Sequence, residues 1–223
     1  MATGGTMASG GTMATGGSTA GAGGSTSTGG TGGTTTGNEQ PYPPGPYGYD
    51  VGSTIANYAF VGFPAPNTDS STAVLVHLGD FYNPSGQGTY PAGSPYGAGA
   101  AMPKALLLDA GAVWAGPSNY EADTVLPGQI AVYGTCLLPV DILMDGPTPG
   151  IAATLKNASN WAIKYPNGYP IVIDPAAQLS PIFPIGAYPI NILIDTQTMT
   201  IVDAMAGVPD DAFFQTEVGA LCP

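Results

Sequence analysis

The residues whose type and spacing could do chemistry gather around one stretch, 105–122, which reads ALLLDAGAVWAGPSNYEA. An apolar run from Ala105 to Val113 ends at Trp114, a Gly116-Pro117 turn follows, and a polar stretch of helical character begins at Ser118. The pattern predicts a buried parallel strand feeding directly into a helix, with Pro117 at a first-turn position where its missing N–H costs nothing. The groups on offer are the Asp109 carboxyl inside the strand and the Ser118 hydroxyl at the helix start. A hydroxyl is far from ionising without a strong base, and the single histidine, His77, belongs to another segment, so nothing local points to a Ser-His-Asp triad. Ser118 therefore reads as an N-terminal helix residue suited to capping.

The elements that must position this stretch follow from periodicity. Residues 72–82, TAVLVHLGDFY, place Val74, Val76 and Leu78 on one face and predict a strand with His77 on the other face. A lone histidine without companions is a hydrogen-bonded or solvated side chain sooner than a metal ligand. Residues 117–133 make a long helix bent at Pro127, and 135–145 the next strand. In 151–165 the apolar spacing of Ile151, Leu155, Ala158, Ala162 and Tyr165 predicts a helix packed on the sheet. Tyr169 to Asp174 is a short strand, 190–195 and 200–206 form a hairpin across TQTM, and 210–222 close the chain as a helix whose first turn carries Asp210 and Asp211. Between the early strands lies a Gly/Pro/Tyr loop, 83–103, long enough to be functional or mobile, and read as an interaction surface.

Composition narrows the function classes. The chain has 223 residues, three lysines and arginines together against fifteen acids, and a net charge of −12. No basic patch can be assembled, so nucleic acid is excluded as a partner and anionic membrane surfaces are disfavoured. No stretch is apolar for long enough to span a membrane. Charged residues make up 8% of the chain, which leaves Thr, Ser, Asn, Gly, Pro and Tyr to cover a neutral surface poorly protected from self-association. No ligand loop or GxxxxGK[ST] string occurs, Asp141/Asp145 and Asp210/Asp211 lack calcium-loop spacing, and no metal or cofactor is expected. The sequon Asn157-Ala158-Ser159 falls inside a predicted helix, which weakens it. Cys136 and Cys222 are either a disulfide or two buried thiols.

Residues 1–37 form a separate low-complexity leader, opening with MATGGT, MASGGT and MATGGS. Alone it would be a flexible linker. Threonine nevertheless favours strands and glycine allows close backbone approach. Gly10, Gly11, Thr12 and the periodic Met7 and Met13 are therefore candidate contacts for assembly with further copies. Residues 38–50, NEQPYPPGPYGYD, read as a stiff Pro/Tyr hinge, and 51–223 as the folded domain.

The string Trp114-Ala115-Gly116-Pro117-Ser118 resembles the Trp-Cys-Gly-Pro-Cys active-site motif of the thioredoxin-like family, with alanine and serine at the two cysteine positions. Asp109 falls where thioredoxins carry a buried acid that helps the second thiol lose its proton. Ala187-Tyr188-Pro189, running into Ile190 to Asp195, looks like the family's cis-proline and the strand after it. The similarity covers 41–223 and is nearest to the secreted or lipoprotein redoxins of TlpA type. It implies an α/β thioredoxin-like fold, a mixed central sheet with helices on both faces, here preceded by the Gly/Thr leader. It also implies an exported, extracellular or cell-surface protein in processed form, since no signal peptide precedes the repeats.

Thiol–disulfide exchange requires a thiolate, and Ala115 supplies none. Asp109 is then read as a buried carboxyl held by water or a hydroxyl. The expectation is a non-catalytic structural subunit that self-assembles through its leader into a fibre or filament. The alternatives are a thiol–disulfide oxidoreductase with a mutated or degenerate site, and a redox-inactive module that holds peptides at the turn and the cis-proline loop.

Overall fold

Strand β3 (Ala105–Ala112) is buried at every position, as its unbroken apolar run demands of a strand covered on both faces. It lies between β4 (Leu137–Asp145), which it pairs in parallel, and β6 (Ile190–Asp195), which it pairs antiparallel. The computed structural model describes residues 41–64, 72–182 and 187–223, all within one unit, Gly37–Pro223. Met7, Gly10, Gly11, Thr12 and Met13, the candidate assembly contacts, lie outside the described residues.

The remaining strands are β1 (Ala59–Phe63), β2 (Val74–His77), β5 (Ile171–Ile173) and β7 (Thr200–Ala206). They complete a seven-stranded mixed sheet of order β2-β1-β5-β4-β3-β6-β7. Side chains on alternate positions of β3 enter two cores. Leu106, Leu108 and Ala110 join Val140, Ile142, Ile192 and Ile194 on one face. Ala105 and Leu107 join Leu143, Ala122, Leu126, Trp161 and Phe214 on the other.

The second of these cores is covered by helices. Helix α1 (Gly116–Tyr120) passes through a π turn (Glu121–Val125) into α2 (Leu126–Tyr133), with Pro127 in the first turn of α2. The predicted bend in 117–133 is thus a π turn followed by proline, two recognised causes of helix deviation. Helix α3 (Leu155–Lys164) begins at Thr154, which caps it by accepting from the Asn157 N–H. It buries Ala158, Trp161 and Ala162, whereas Ile151, expected on its apolar face, precedes it and is exposed. The closing helix runs through α4 (Asp211–Phe213), a π turn (Phe214–Val218) and α5 (Gly219–Leu221), capped by Asp210, which accepts from the Phe213 N–H.

The opposite core is covered by the 3-10 helix Leu78–Phe81, by Ile55 and by the 83–103 loop. These segments are rich in Gly, Pro and Tyr, so they pack as closed loops where a longer α-helix would need better helix formers. The 72–82 strand is correspondingly short: β2 stops at His77, Val74 is exposed, and only Val76 and Leu78 point inward. Buried Asn83 closes the loop. Its amide donates to the carbonyls of Met102 and Pro103 and its oxygen accepts from the Gly88 N–H. Tyr96 donates to Asp80 and stacks near Phe81. The Pro/Tyr segment is likewise tied down, with Tyr42 donating to the Ile55 carbonyl and packing on Tyr82.

Cys136 and Cys222 form a disulfide. It joins the entry to β4 to the end of the closing helix and cross-links residues 86 apart in sequence. A bridge over a loop of this length removes much unfolded-state entropy, a contribution of about 2–4 kcal/mol. Replacing both cysteines by alanine is expected to lower the unfolding free energy by that amount in urea titrations, with the far-ultraviolet circular dichroism of the folded state unchanged.

Candidate functional site

The turn between β3 and α1 is built from the backbone upward. A register shift between Gly111 and Ala112 interrupts pairing with β4 at the strand end. The Ala112 N–H donates to the Ser118 hydroxyl at 3.3 Å. Ser118 therefore does not cap the helix by itself; Ala115 occupies that position, without a side-chain bond. Glycine at 111 leaves room for this contact, because a Cβ there would meet Ser118 Oγ at 3.2 Å. Ala115 and Ser118 are both buried, while Gly116 and Pro117 are exposed.

Three side chains outside the motif hold it in place. Asn119 donates to the carbonyls of Val113 and Ala115, and its oxygen accepts from Lys164 and Tyr165 of the α3 segment. Asp145, at the end of β4, accepts from the Trp114 indole at 3.1 Å and from the Gly150 N–H at 2.8 Å. Trp114 is 39% exposed and meets Tyr188 edge-on, with ring centroids 6.1 Å apart. The Tyr188-Pro189 bond is cis. The turn and the cis-proline loop, separated by seven decades of sequence, thus share one face. Burial, with Asp145 and Asp174 nearby, raises the Tyr188 phenol to about 12.

Directly beneath the turn lies a group of acids. Asp109 pairs across the sheet with Asp141 on β4 and Asn191 on β6, which directs all three side chains to the helical face. Glu121, the first residue of the π turn, comes down on them from above and accepts from the Asn191 amide at 3.3 Å. Trp161 of α3 donates its indole N–H to Asp141 at 2.5 Å. One oxygen of each of Asp109, Glu121, Asp141 and Asn191 is buried without a partner. Burial, with Glu121 and Asp141 beside it, pushes Asp109 well above the carboxylate range. Burial raises Glu121 to about 8 against the opposing bond from Asn191, and Asp141 to about 7 against the bond from Trp161.

Asp109, expected to be held by water or a hydroxyl, instead has one oxygen buried without a partner and two further carboxyls beside it. Glu121 and Asp141 escaped the motif-based reading. Helical spacing signals the first, since Glu121 follows buried Ser118 by three positions. Parallel register with Asp109 signals the second. No cluster of His, Cys, Asp or Glu among the described residues could hold a metal. A cavity of about 650 Å³ is lined by Tyr90, Tyr96, Ile130, Leu137 and Pro170. It lies at the start of β3 and β4, a strand length away from the turn.

Several solved structures resemble this chain in fold. A Chlorobium tepidum protein assigned as the thiol:disulfide interchange protein DsbE matches 78% of this chain and 99% of its own, at 18% identity and a TM-score of 0.51. A DsbF homologue from Corynebacterium diphtheriae matches over 77% and 90%, at 16% identity and 0.51. The thioredoxin domain of a thiol-disulfide oxidoreductase from Bacteroides vulgatus matches over 78% and 99%, at 15% identity and 0.51. The fold is thioredoxin-like. No family model and no curated protein matches the chain. Among the described residues, no helix is long and apolar enough to cross a membrane.

Asn119 joins the turn to α3 through four hydrogen bonds. Asn119→Ala is expected to cost about 1–3 kcal/mol of stability and to speed amide exchange across 113–119, measured by urea unfolding and by hydrogen exchange.

Proposed function

We propose that this chain is a degenerate relative of the thiol–disulfide oxidoreductases that keeps their peptide-holding face and has lost their exchange chemistry. The observation that carries the reading is the edge-on contact of Tyr188, the residue before Pro189, with Trp114, beside a turn that has Ala115 and Ser118 at the two thiol positions of the resembled motif. Exchange needs a nucleophilic sulfur, and both cysteines of the chain are joined in the distant disulfide. What is left on that face is shape and hydrogen bonding. The backbone N–H and C=O of Tyr188 have no partner among the described residues. An extended peptide laid along them would gain main-chain hydrogen bonds, and Trp114 and Tyr188 would supply apolar contact.

The disulfide also supports an exported location, because such bridges persist in oxidising compartments. Self-assembly through the leader rests on composition alone, and nothing in the described residues adds to it.

Two measurements test the reading. Titration of the isotope-labelled chain with S-carboxymethylated insulin B chain is expected to move the Trp114 indole resonance and the amides of 115–118 and 187–190. Unmoved resonances there at millimolar peptide defeat it. In the second, the parent chain is expected to add nothing to the rate at which dithiothreitol alone reduces insulin disulfides, whereas Ala115→Cys combined with Ser118→Cys accelerates it. Equal rates for parent and double variant would show that the turn does not retain the geometry of an exchange site.

A further inference from the structure

The group of acids beneath the turn has a property that neither the fold nor the peptide reading uses. Three carboxyls converge from three elements: Asp109 on β3, Asp141 on β4 and Glu121 on the π turn. The groups facing them are the Asn191 amide from β6, the Trp161 indole from α3 and the Tyr169 phenol. Asn191 donates one hydrogen bond to Glu121 and Trp161 one to Asp141, while the Tyr169 oxygen accepts from Asn167. No lysine joins them among the described residues: Lys164 is engaged by Asn119, and His77 lies on the edge strand β2. One oxygen of each of the three acids, and the Asn191 oxygen, is buried without a hydrogen-bond partner. Buried oxygens in such an arrangement are satisfied when carboxylic O–H groups donate to their neighbours.

We propose that Asp109, Glu121 and Asp141 form a proton-held latch: shared protons fasten the π turn Glu121–Val125 to the sheet, and their loss to solvent base releases α1 with the Trp114–Ser118 turn. The Trp161 donor serves Asp141 and the Asn191 donor serves Glu121, so Asp109 has neither, and each further ionised carboxyl repels the others. Asp109 and Asp141 sit in the two central strands and cannot withdraw. Glu121 is the member carried on a helix, and a π turn lacks regular i to i−4 bonding, so that segment gives way.

The direction with pH follows from linkage. Glu121 moves from an ordinary 4.5 in the open state to about 8 when closed, so the closed state binds protons more tightly. Closure is then fully favoured below about pH 4.5 and is lost as pH rises to about 8, where the dependence levels off.

Hydrogen exchange of the full chain between about pH 5 and pH 9, corrected for intrinsic rates, tests this. Protection of amides 119–133 is expected to fall up to about tenfold per pH unit until about pH 8, while β3 and β6 stay better protected throughout. Glu121→Gln, which keeps the shape of the protonated acid, is expected to flatten the helix profile. Helix protection that is constant with pH overturns the proposal, as does loss of protection only in step with β3, or an undiminished slope in Glu121→Gln. Should that variant not fold, Asp141→Asn is expected to shrink the same slope, and the wild-type profile still decides by itself. This outcome is independent of peptide binding, which the titration above reads separately.

Discussion

The complete burial of β3 is the constraint on which the molecule turns. A strand covered on both faces must place every side chain in one of two cores and every backbone group in a ladder. Parallel pairing with β4 and antiparallel pairing with β6 meet the second demand. Alternation of Leu106, Leu108 and Ala110 against Ala105 and Leu107 meets the first. The end of the strand then fixes the start of α1, because the freed Ala112 N–H is taken by Ser118 and the carbonyls of Val113 and Ala115 by Asn119. The strand end thereby sets where the turn begins.

That dependence explains what could be read without coordinates. The run 105–113, the Gly-Pro turn and the hairpin 190–206 are local signals, and each landed within a few residues of its element. The string at 114–118 and the Tyr-Pro pair at 188–189 carried the fold through resemblance. The edges were less legible. The 72–82 segment has strand alternation throughout, but Gly79-Asp80 favours a turn, and the Asp80 carboxylate accepts from the His77 N–H to start a 3-10 helix. The 83–103 loop has no periodicity, and its order comes from one buried side chain, Asn83, whose partners lie at its far end. Such closure is a tertiary fact with no local signature.

The site divides along the same line. Trp114, Ala115, Ser118, Asp109 and Pro189 were recognisable by type and spacing, and the structure gathers them at one end of β3. Asn119, Glu121, Asp141 and Asp145 were not, because their roles depend on register between strands and on which helix face meets the sheet. Asp141 and Asp145 in particular look like an interchangeable pair on one strand. In the fold, Asp141 is sealed beneath Trp161, whereas Asp145 at the strand end holds Trp114 and the Gly150 N–H.

The turn carries Ala115 and Ser118, so no thiol stands above these acids. Asp109 has Glu121 and Asp141 beside it and an oxygen buried without a partner. A buried carboxyl without a partner destabilises a fold by several kcal/mol if ionised, so the native state is compatible with three of them only while protons are retained. The arrangement therefore couples the stability of the helix to proton binding, whatever docks on the turn above it. With three basic residues against fifteen acids, few cations are at hand to offset that coupling.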